Sequence, residues 1–544
     1  MKTKLRLLSL LLSLLLLASL WGCSMPGIGT NSGASTSEKA STTVPEDIFL
    51  EETTWNEGVE YETETEFLGP FTEPVPVTTP DPYFVTDPIE LKLDFGGETV
   101  KIFYGSEAVR NEFDIDVTGE ILNDSIYARN IKVEEMLNVK FEWKGMEALS
   151  SHANEYVQHA EAMSAAGEGF DIYAATRRAM ARLLTRACLQ DFNLIKDGYI
   201  DLSKPWYFVD AQREDLTVGG ANFLAAGDIS ANALLQMNVI FYNVGFAEAW
   251  GRKDIASMVM EGKWTLDALI ELSKSIYVDQ DGSGSKSDAD DYGFTQAQYL
   301  DSDAFYSGAG LKFFKIDPTG DRFVMSSSDL TSQKAADLNE KLYAFFDDPS
   351  SYTGTPYSLD GKYALPFAEG RALFCHGVLG LADMGGEFSV LDFEYGILPI
   401  PKYDENQEQH ITTLSNKAVF WGINNYLITE RELMNSAVIE SMARFGYNTV
   451  TPALFEVTMK MRFGASSKTL ASDMFDLIRD SVRIDLGKLF SENAAALPTM
   501  FANGVTTSAN HWIMSASNSQ TRAQIQRSES ELNKSIDYAL NQQK

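Results

Sequence analysis

The residues best spaced to do chemistry lie between Asp279 and Asp290. The run Asp279-Gln-Asp281-Gly-Ser283-Gly284-Ser285-Lys-Ser287-Asp288-Ala-Asp290 puts oxygen-bearing side chains at loop positions 1, 3 and 5, glycine at position 6 and an acid at position 12. Hard Ca²⁺ takes six to eight oxygens, and this alternation aims them inward. Asp279, Asp281, Ser283, Ser285 and Asp290 are the candidate ligands. Ser283 stands where Asp or Asn is usual, and Asp290 where a bidentate Glu is usual, so binding would be weak and suited to extracellular calcium. Asp-Gly and Ser-Gly also make plain acidic surface turns, so that reading stays open beside the metal. Thr265 caps a helix whose apolar face is Leu266, Leu269, Ile270 and Ile276, and this helix runs into the loop. Tyr292-Gly293-Phe294 beyond it reads as a strand, which makes the unit at best half of an EF-hand. A structural calcium is the one cofactor expected, and none is required.

Catalytic signatures are otherwise missing. The chain has no His-Glu-x-x-His, no Gly-x-Ser-x-Gly and no P-loop. His152 and His159, seven apart on a predicted helix, suit no common zinc motif and read as solvated. Asp and Glu are so numerous that a glycosidase pair could hide among them, so their number decides nothing.

The first residues speak of location. Lys2, Lys4 and Arg6 precede an apolar run from Leu7 to Trp21, and small Gly22 precedes Cys23. This is a secretory signal, too short for a comfortable membrane span. Leu-Trp-Gly-Cys resembles the bacterial lipobox, in which the cysteine carries diacylglycerol and the signal is cut before it. An ordinary secreted protein cleaved nearby is the alternative. From Ser24 to Glu90 the chain carries fourteen acids against one lysine, Lys39, and five prolines from Pro74 to Pro88. Such a stretch buries too little apolar surface to offset its ordering entropy and stays extended. It reads as a tether. The expected organisation is thus 1–22 signal, 23–90 lipidated Cys23 and tether, and 91–544 folded region.

Net charge is −33; with +3 in the signal and −13 in the tether, −23 falls on the folded region. A chain this acidic is a poor match for nucleic acid or for an anionic lipid surface. About 450 residues exceed what one hydrophobic core usually serves, so two lobes are expected. Of three cysteines, Cys188 and Cys375 remain after Cys23; they read as two buried thiols, a disulfide being the alternative. No multimer signal is present, and a monomer is expected.

Positioning elements alternate between strand and helix. Strands are predicted at Thr99–Tyr104, Val139–Trp143 and Phe170–Ala174. A helix capped near Asn123–Ser125, with Ile126, Val133, Met136 and Leu137 on one face, lies between the first two, and another runs on to Leu189. That order predicts a largely parallel sheet. A second unit includes strands at Ala372–Cys375 and Tyr395–Leu398, and the last 120 residues read as mostly helical.

Several segments together carry a resemblance: GGETVKIFY, NDSIYARNIKVEEMLNVKFE, YIDLSKPWYF, FLAAGDIS, EGKWTLDALIELSKSI, FAEGRAL, YGILPIPKYDE and NTVTPALFEV. In order and spacing they resemble extracellular solute-binding proteins, family 1, the lipoprotein substrate-binding components of Gram-positive carbohydrate ABC importers. The resemblance covers about Gly96 to Leu489. It implies an α/β, two-lobed, periplasmic-binding-protein-like (type II) fold with a ligand cleft between interleaved lobes. It further implies a non-enzyme anchored on the outer face of a Gram-positive cell membrane, whose partners are a carbohydrate, an oligosaccharide by preference, and permease subunits. A surface glycan-processing enzyme and a non-transport adhesin are the alternatives.

The resemblance also places candidate contacts. It puts a first crossover just after Phe223–Ser230, where Asp228 would accept sugar hydroxyls; a turn or cap role is the alternative. Thr176 and Arg177 would face the rim at the end of their strand, with a solvated helix start as the alternative for Arg177. A second crossover is expected after Phe367–Phe374, bringing Cys375, His376 and Gly377 near the site, with a satisfied buried histidine as the alternative. Trp206 and Trp421 are the favoured aromatic platforms, against plain packing, with Tyr207 and Tyr426 beside them in the sequence. Trp264 is assigned to packing against Leu269. Leu379–Phe393 departs from the family's compact Arg-containing turn, so no contact is carried over there.

Overall fold

The computed structural model describes residues 93–107, 110–149, 152–298, 301–355, 362–383, 386–457, 468–491, 496–507 and 519–543. The expected signal, Cys23 and the tether lie outside the described residues. Among the described residues no helix is long and apolar enough to cross a membrane.

Two sheets organise the chain. The first contains β1 (Glu98–Gly105), β2 (Val139–Met146), β3 (Ile172–Thr176) and, from far downstream, β12 (Val419–Ile423). Its order is β12-β3-β1-β2, parallel except where β12 runs against β3. Both faces are covered, as parallel strands require. Val100 and Ile102 face one apolar cluster shared with the helix Thr429–Phe445. Phe103 faces the other way and stacks on Tyr156 and Phe170 at 4.1 and 4.4 Å.

The second sheet holds β4 (Asn238–Asn243), β5 (Tyr277–Val278), β6 (Asp291–Ala297), β9 (Ser351–Gly354), β10 (Ala372–Val378) and β11 (Tyr395–Leu398). Its order is β11-β4-β10-β6-β5, with β9 also on β6. Here the expected parallel pattern gives way to a mixed sheet. β6 is parallel to β9 and β10, but β4 runs against both β10 and β11, and β5 against β6. A short hairpin, β7 (Phe314–Ile316) and β8 (Phe323–Met325), lies between β6 and β9 in the chain.

Helix ends differ from the sequence reading at two places, each for a local reason. The helix Ile121–Leu137 starts earlier than expected because Glu120 caps it, accepting from the Leu122 and Asn123 N–H groups. The helix expected to run to Leu189 spans Arg177–Thr185; Ala187 takes left-handed backbone (φ 59) and stops it. Thr265 caps Leu266–Ser273 as expected, through the Ala268 N–H at 3.3 Å.

The chain passes between the sheets twice, and the two passages pair. Asn238 N donates to Thr413 O at 2.9 Å, and Ser415 N to Gln236 O at 2.9 Å. The first passage thus follows Phe223–Ser230, after one short helix, Ala231–Leu235. The second is at Thr413–Ser415, not after Phe374: β10 stays in the second sheet, and the chain completes β11 before returning. Leu379, just past β10, still reaches the first passage through the Met237 carbonyl (3.0 Å).

C-terminal helices brace the whole. Leu497–Thr507 lies on Gln333–Asp347 of the second lobe. The last helix, Ser519–Gln542, ties the β7–β8 hairpin through Asn533, which bonds both the Phe323 N–H (2.9 Å) and carbonyl (2.7 Å). Just beyond its end, Gln543 bonds the Asp191 N–H and the Leu189 carbonyl of the first lobe. Cys188 and Cys375 are free, buried thiols.

Candidate functional site

The carboxyl ends of β3 and β6 meet beside the paired passages, where open α/β sheets place ligands. β3 ends in Thr176 and leads into Arg177. Thr176 is buried and its hydroxyl donates to the Ala148 carbonyl at 3.0 Å, so it holds backbone rather than facing a solute. Arg177 reaches the cleft. One guanidinium nitrogen, Nη2, bonds the Asn416 side-chain amide; the other, Nη1, is buried without a partner. Burial pulls its pKa down to about 10, which leaves it charged at neutral pH.

From the opposite side, the turn after β6 brings Asp301 and Asp303. Asp301 sits in left-handed backbone (φ 55), a strained conformation typical of functional turns. Its carboxylate accepts from Ser415 Oγ at 2.8 Å and from Lys488 Nζ at 3.2 Å, and Lys488 Nζ also lies 2.8 Å from Asp303. Burial alone would raise the Asp301 carboxyl, but Lys488 and Ser415 outweigh it and hold it below its ordinary value. Lys488 is itself 5 % exposed, on the short helix Leu486–Leu489.

His376, on β10, faces the same charges. Burial pushes its pKa down to about 4, against the pull of Asp301, so the imidazole is neutral at ordinary pH. Its Nε2 has no partner, and its ring meets Phe305 edge-on at 5.1 Å. β10 pairs in register with β6 and β4, so Gln296 and Asn238 share the His376 face. Both carry buried polar atoms without partners, Gln296 Nε2 and Asn238 Oδ1. Native interiors rarely leave such atoms unmet, and their gathering at one place marks it as built to meet something polar.

Between the lobes a cavity of about 20 Å³ remains, room for one water. Arg177, Thr413, Phe420, Asp485 and Lys488 line it. Asp485 accepts from the Phe313 and Gly487 N–H groups at 2.7 and 2.6 Å, yet burial still pushes its pKa up to about 7.

Three expected contacts sit elsewhere. Asp228 is fully buried and turned to the C-terminal helices: its carboxylate pairs with Arg479 and accepts from the Thr451 hydroxyl. Gly227 (φ 146) makes the bend, since a Cβ there would lie 2.4 Å from the Trp206 carbonyl oxygen. Asp228 therefore serves as a strut. Trp206 is 6 % exposed, its Nε1 donating to Glu440 at 3.1 Å, with the Tyr207 hydroxyl on the same carboxylate at 2.8 Å. Trp421 is fully buried in the cluster under Thr429–Phe445. Neither tryptophan offers a ring face to a solute. For Trp421 alternation along β12 is the reason: Val419, Trp421 and Ile423 point to that cluster, while Phe420 points to the cavity. Tyr426 is exposed, and Trp264 is core, donating to the Pro399 carbonyl at 2.8 Å.

The sequence reading missed Asp301, Asp303, Phe420 and Lys488. The first two follow the end of β6, a position the strand-end rule could have found. Lys488 carries no local signal, being 187 residues from Asp301.

The calcium-like loop closes the β5–β6 hairpin, so the Thr265 helix, ending at Ser273, does not run straight into it. Carboxylate oxygens of Asp279, Asp281 and Asp290 lie within 4.8 Å of one another. The loop also satisfies them itself: Ser283 N donates to Asp279 and Asp281, and Gln280 N and Ser287 N donate to Asp290. The Ser283 hydroxyl donates to the Ser285 carbonyl. The loop is thus capped by its own N–H groups, and its three carboxylates also stand close enough to share one cation. His152, beside Glu147 at 3.0 Å, is half-exposed, and His159 is half-buried against Phe103.

No family model matches the chain, and no curated protein matches it. Solved structures do. The galacto-N-biose/lacto-N-biose I-binding protein of a Bifidobacterium longum ABC transporter, in complex with lacto-N-biose, aligns over 82 % of this chain and 98 % of its own at 12 % identity, with a TM-score of 0.50. A Listeria monocytogenes ABC substrate-binding protein in complex with cycloalternan covers 81 % and 99 % at 12 % identity (TM-score 0.48). Mycobacterium tuberculosis UgpB in complex with glycerophosphocholine covers 82 % and 100 % at 13 % identity (TM-score 0.48). The chain has the α/β, two-lobed, periplasmic-binding-protein-like fold that the Bifidobacterium protein also has.

Proposed function

We propose that this protein is an extracellular solute receptor, anchored through a lipid on Cys23, that captures a carbohydrate between its lobes and delivers it to an ABC permease. The observation that carries this reading is the pair of interlobe passages, Gln236–Asn238 against Thr413–Ser415, with polar groups of both lobes gathered beside them. The fold shared with a protein whose structure holds lacto-N-biose adds to it. Arg177, Asn416, Gln296 and His376 supply hydrogen-bonding groups, and Phe420, buried beside the cavity, would show its ring to sugar C–H groups only once the lobes part. A cavity with room for one water holds no sugar. Solute therefore enters a more open state, in which the lobes part about the paired passages, and closure follows. Ligand shifts that equilibrium only by binding the closed state more tightly.

A thermal-shift screen of the full chain against mono- and oligosaccharides tests the reading. A ligand that binds only the folded state adds about 2.7 kcal/mol of stability at a hundredfold excess over Kd. The expected result is a rise with one sugar class and recovery of that sugar unchanged. A sugar that is consumed would point instead to a glycan-processing enzyme, and a flat panel would remove the carbohydrate from the reading.

A further inference from the structure

We propose that the captured solute carries an oxyanion, a carboxylate or a phosphate, that docks on Arg177; the inference rests on the receptor reading above. Most charges around the cavity are already matched. Lys488 is shared by Asp301 and Asp303, Arg483 pairs with Asp215 and Glu214, and Asp485 takes two backbone N–H groups. Arg177 differs. No carboxylate lies within ion-pair distance of it among the described residues, and its one hydrogen-bond partner there is the neutral amide of Asn416. Asp301 and Asp303 act on it only at longer range. A buried guanidinium with an open N–H is costly to hold unless something else completes it.

Asp301, Asp303 and Asp485 all act on Arg177 at longer range, so an anion would have to gain from donors close by. Arg177 opens the nine-residue helix Arg177–Thr185, whose N-terminus no side chain caps, because the Thr176 hydroxyl is turned to Ala148. Uncapped N–H groups and the helix dipole favour negative charge there. At the passages and on the second sheet are further unmet donors: Gln236, whose backbone carbonyl takes the Ser415 N–H, and Gln296, on the His376 face, each present an amide nitrogen without a partner. His376, 2 % exposed, adds an Nε2 that can donate or accept. Arg pairs best with planar, two-oxygen acceptors, which a carboxylate provides, and phosphate offers the same oxygen geometry.

The test is a calorimetric comparison on the full chain with matched pairs: galactose against galacturonate, glucose against glucuronate, and their disaccharide counterparts. Glucose 6-phosphate separates phosphate from carboxylate, and free acetate and inorganic phosphate separate the anion from the sugar. The expected result is that an acidic member binds at least about tenfold more tightly than its neutral twin, the scale of one charged hydrogen bond. Arg177→Gln should erase that difference, and Arg177→Lys should restore part of it. The comparison within the unmodified chain stands even if a variant fails to fold. Equal binding of neutral and acidic twins overturns the oxyanion while leaving the sugar receptor intact. Binding of a free anion with no saccharide binding sustains the oxyanion and overturns the sugar. No binding by any acidic probe overturns the inference.

Discussion

Arg479 is buried and Arg177 is half-buried with its Nη1 out of solvent, and the two guanidiniums are satisfied in opposite ways. Arg479 meets the Asp228 carboxylate, the Pro205 carbonyl and Asp480 at once, and it is a strut between the C-terminal helices and the segment leading to the first passage. Gly446 makes the approach possible, since a Cβ there would fall 2.0 Å from the Asp228 carbonyl oxygen. Arg177 has an amide, a helix end and an open N–H. The difference separates structure from site: a guanidinium that has its carboxylate inside the fold is architecture, and one without it is left for something else.

Breaking the strut should have the largest effect. Asp228→Ala leaves the buried Arg479 with only the exposed Asp480 carboxylate against its charge, and should lower stability by about 3–5 kcal/mol. Urea unfolding would show it as a lower midpoint at unchanged slope. A loss below about 1 kcal/mol would mean the pair is not structural.

A second contrast uses pH. Burial raises both Glu440 and Asp485 to about 7, well above the ordinary values of 4.5 and 3.8. The folded state therefore holds protons that the unfolded state has released. Stability from these groups is full below pH ~4 and is lost as pH rises through ~7, by up to about 3 kcal/mol for Glu440 and about 4 kcal/mol for Asp485. The buried, neutral His376 and His410 pull the other way below pH ~6.5, so the comparison is between chains: Glu440→Gln should lose less stability than the unmodified chain between pH 5 and 8. An equal or steeper loss in the variant would reverse the assignment.

Lys488→Met tests the middle of the range. It leaves Asp301 and Asp303 without their shared cation, at about 2–3 kcal/mol. The loss should shrink at low pH, where a carboxyl can take up a proton; unfolding at pH 5 and 7.5 would compare the two. The smallest effect belongs to Arg177→Gln. It removes a charge that no carboxylate matches, so stability should change by no more than about 1 kcal/mol, or rise. A loss as large as that of Asp228→Ala would make Arg177 a strut too.

Much of the fold was legible because its cues are local. The β-rich runs at Glu98–Gly105 and Tyr395–Leu398, and the Thr265 cap, need only neighbours in sequence. Arg177 follows the end of β3, a position strand order gives, whereas His376, which lies within β10, was reached through a second crossover that the structure moves to Thr413–Ser415. Trp206, Trp421 and Asp228 were misplaced for one shared reason: a residue type suited to sugar does not say which way it points. A strand of period two turns Trp421 to the core and its neighbour Phe420 to the cleft.

The sequence by itself determined the elements, the acidity and the two-lobed plan, since short-range pattern and chain length set these. Only the tertiary structure decided which charges meet. Asp228 finds Arg479 from 251 residues away and Asp301 finds Lys488 from 187, and no local pattern encodes such partners. It likewise left Arg177 without one. Pairing at that range follows from how the passages, the mixed second sheet and the C-terminal helices close on one another, and it is there that strut and site are told apart.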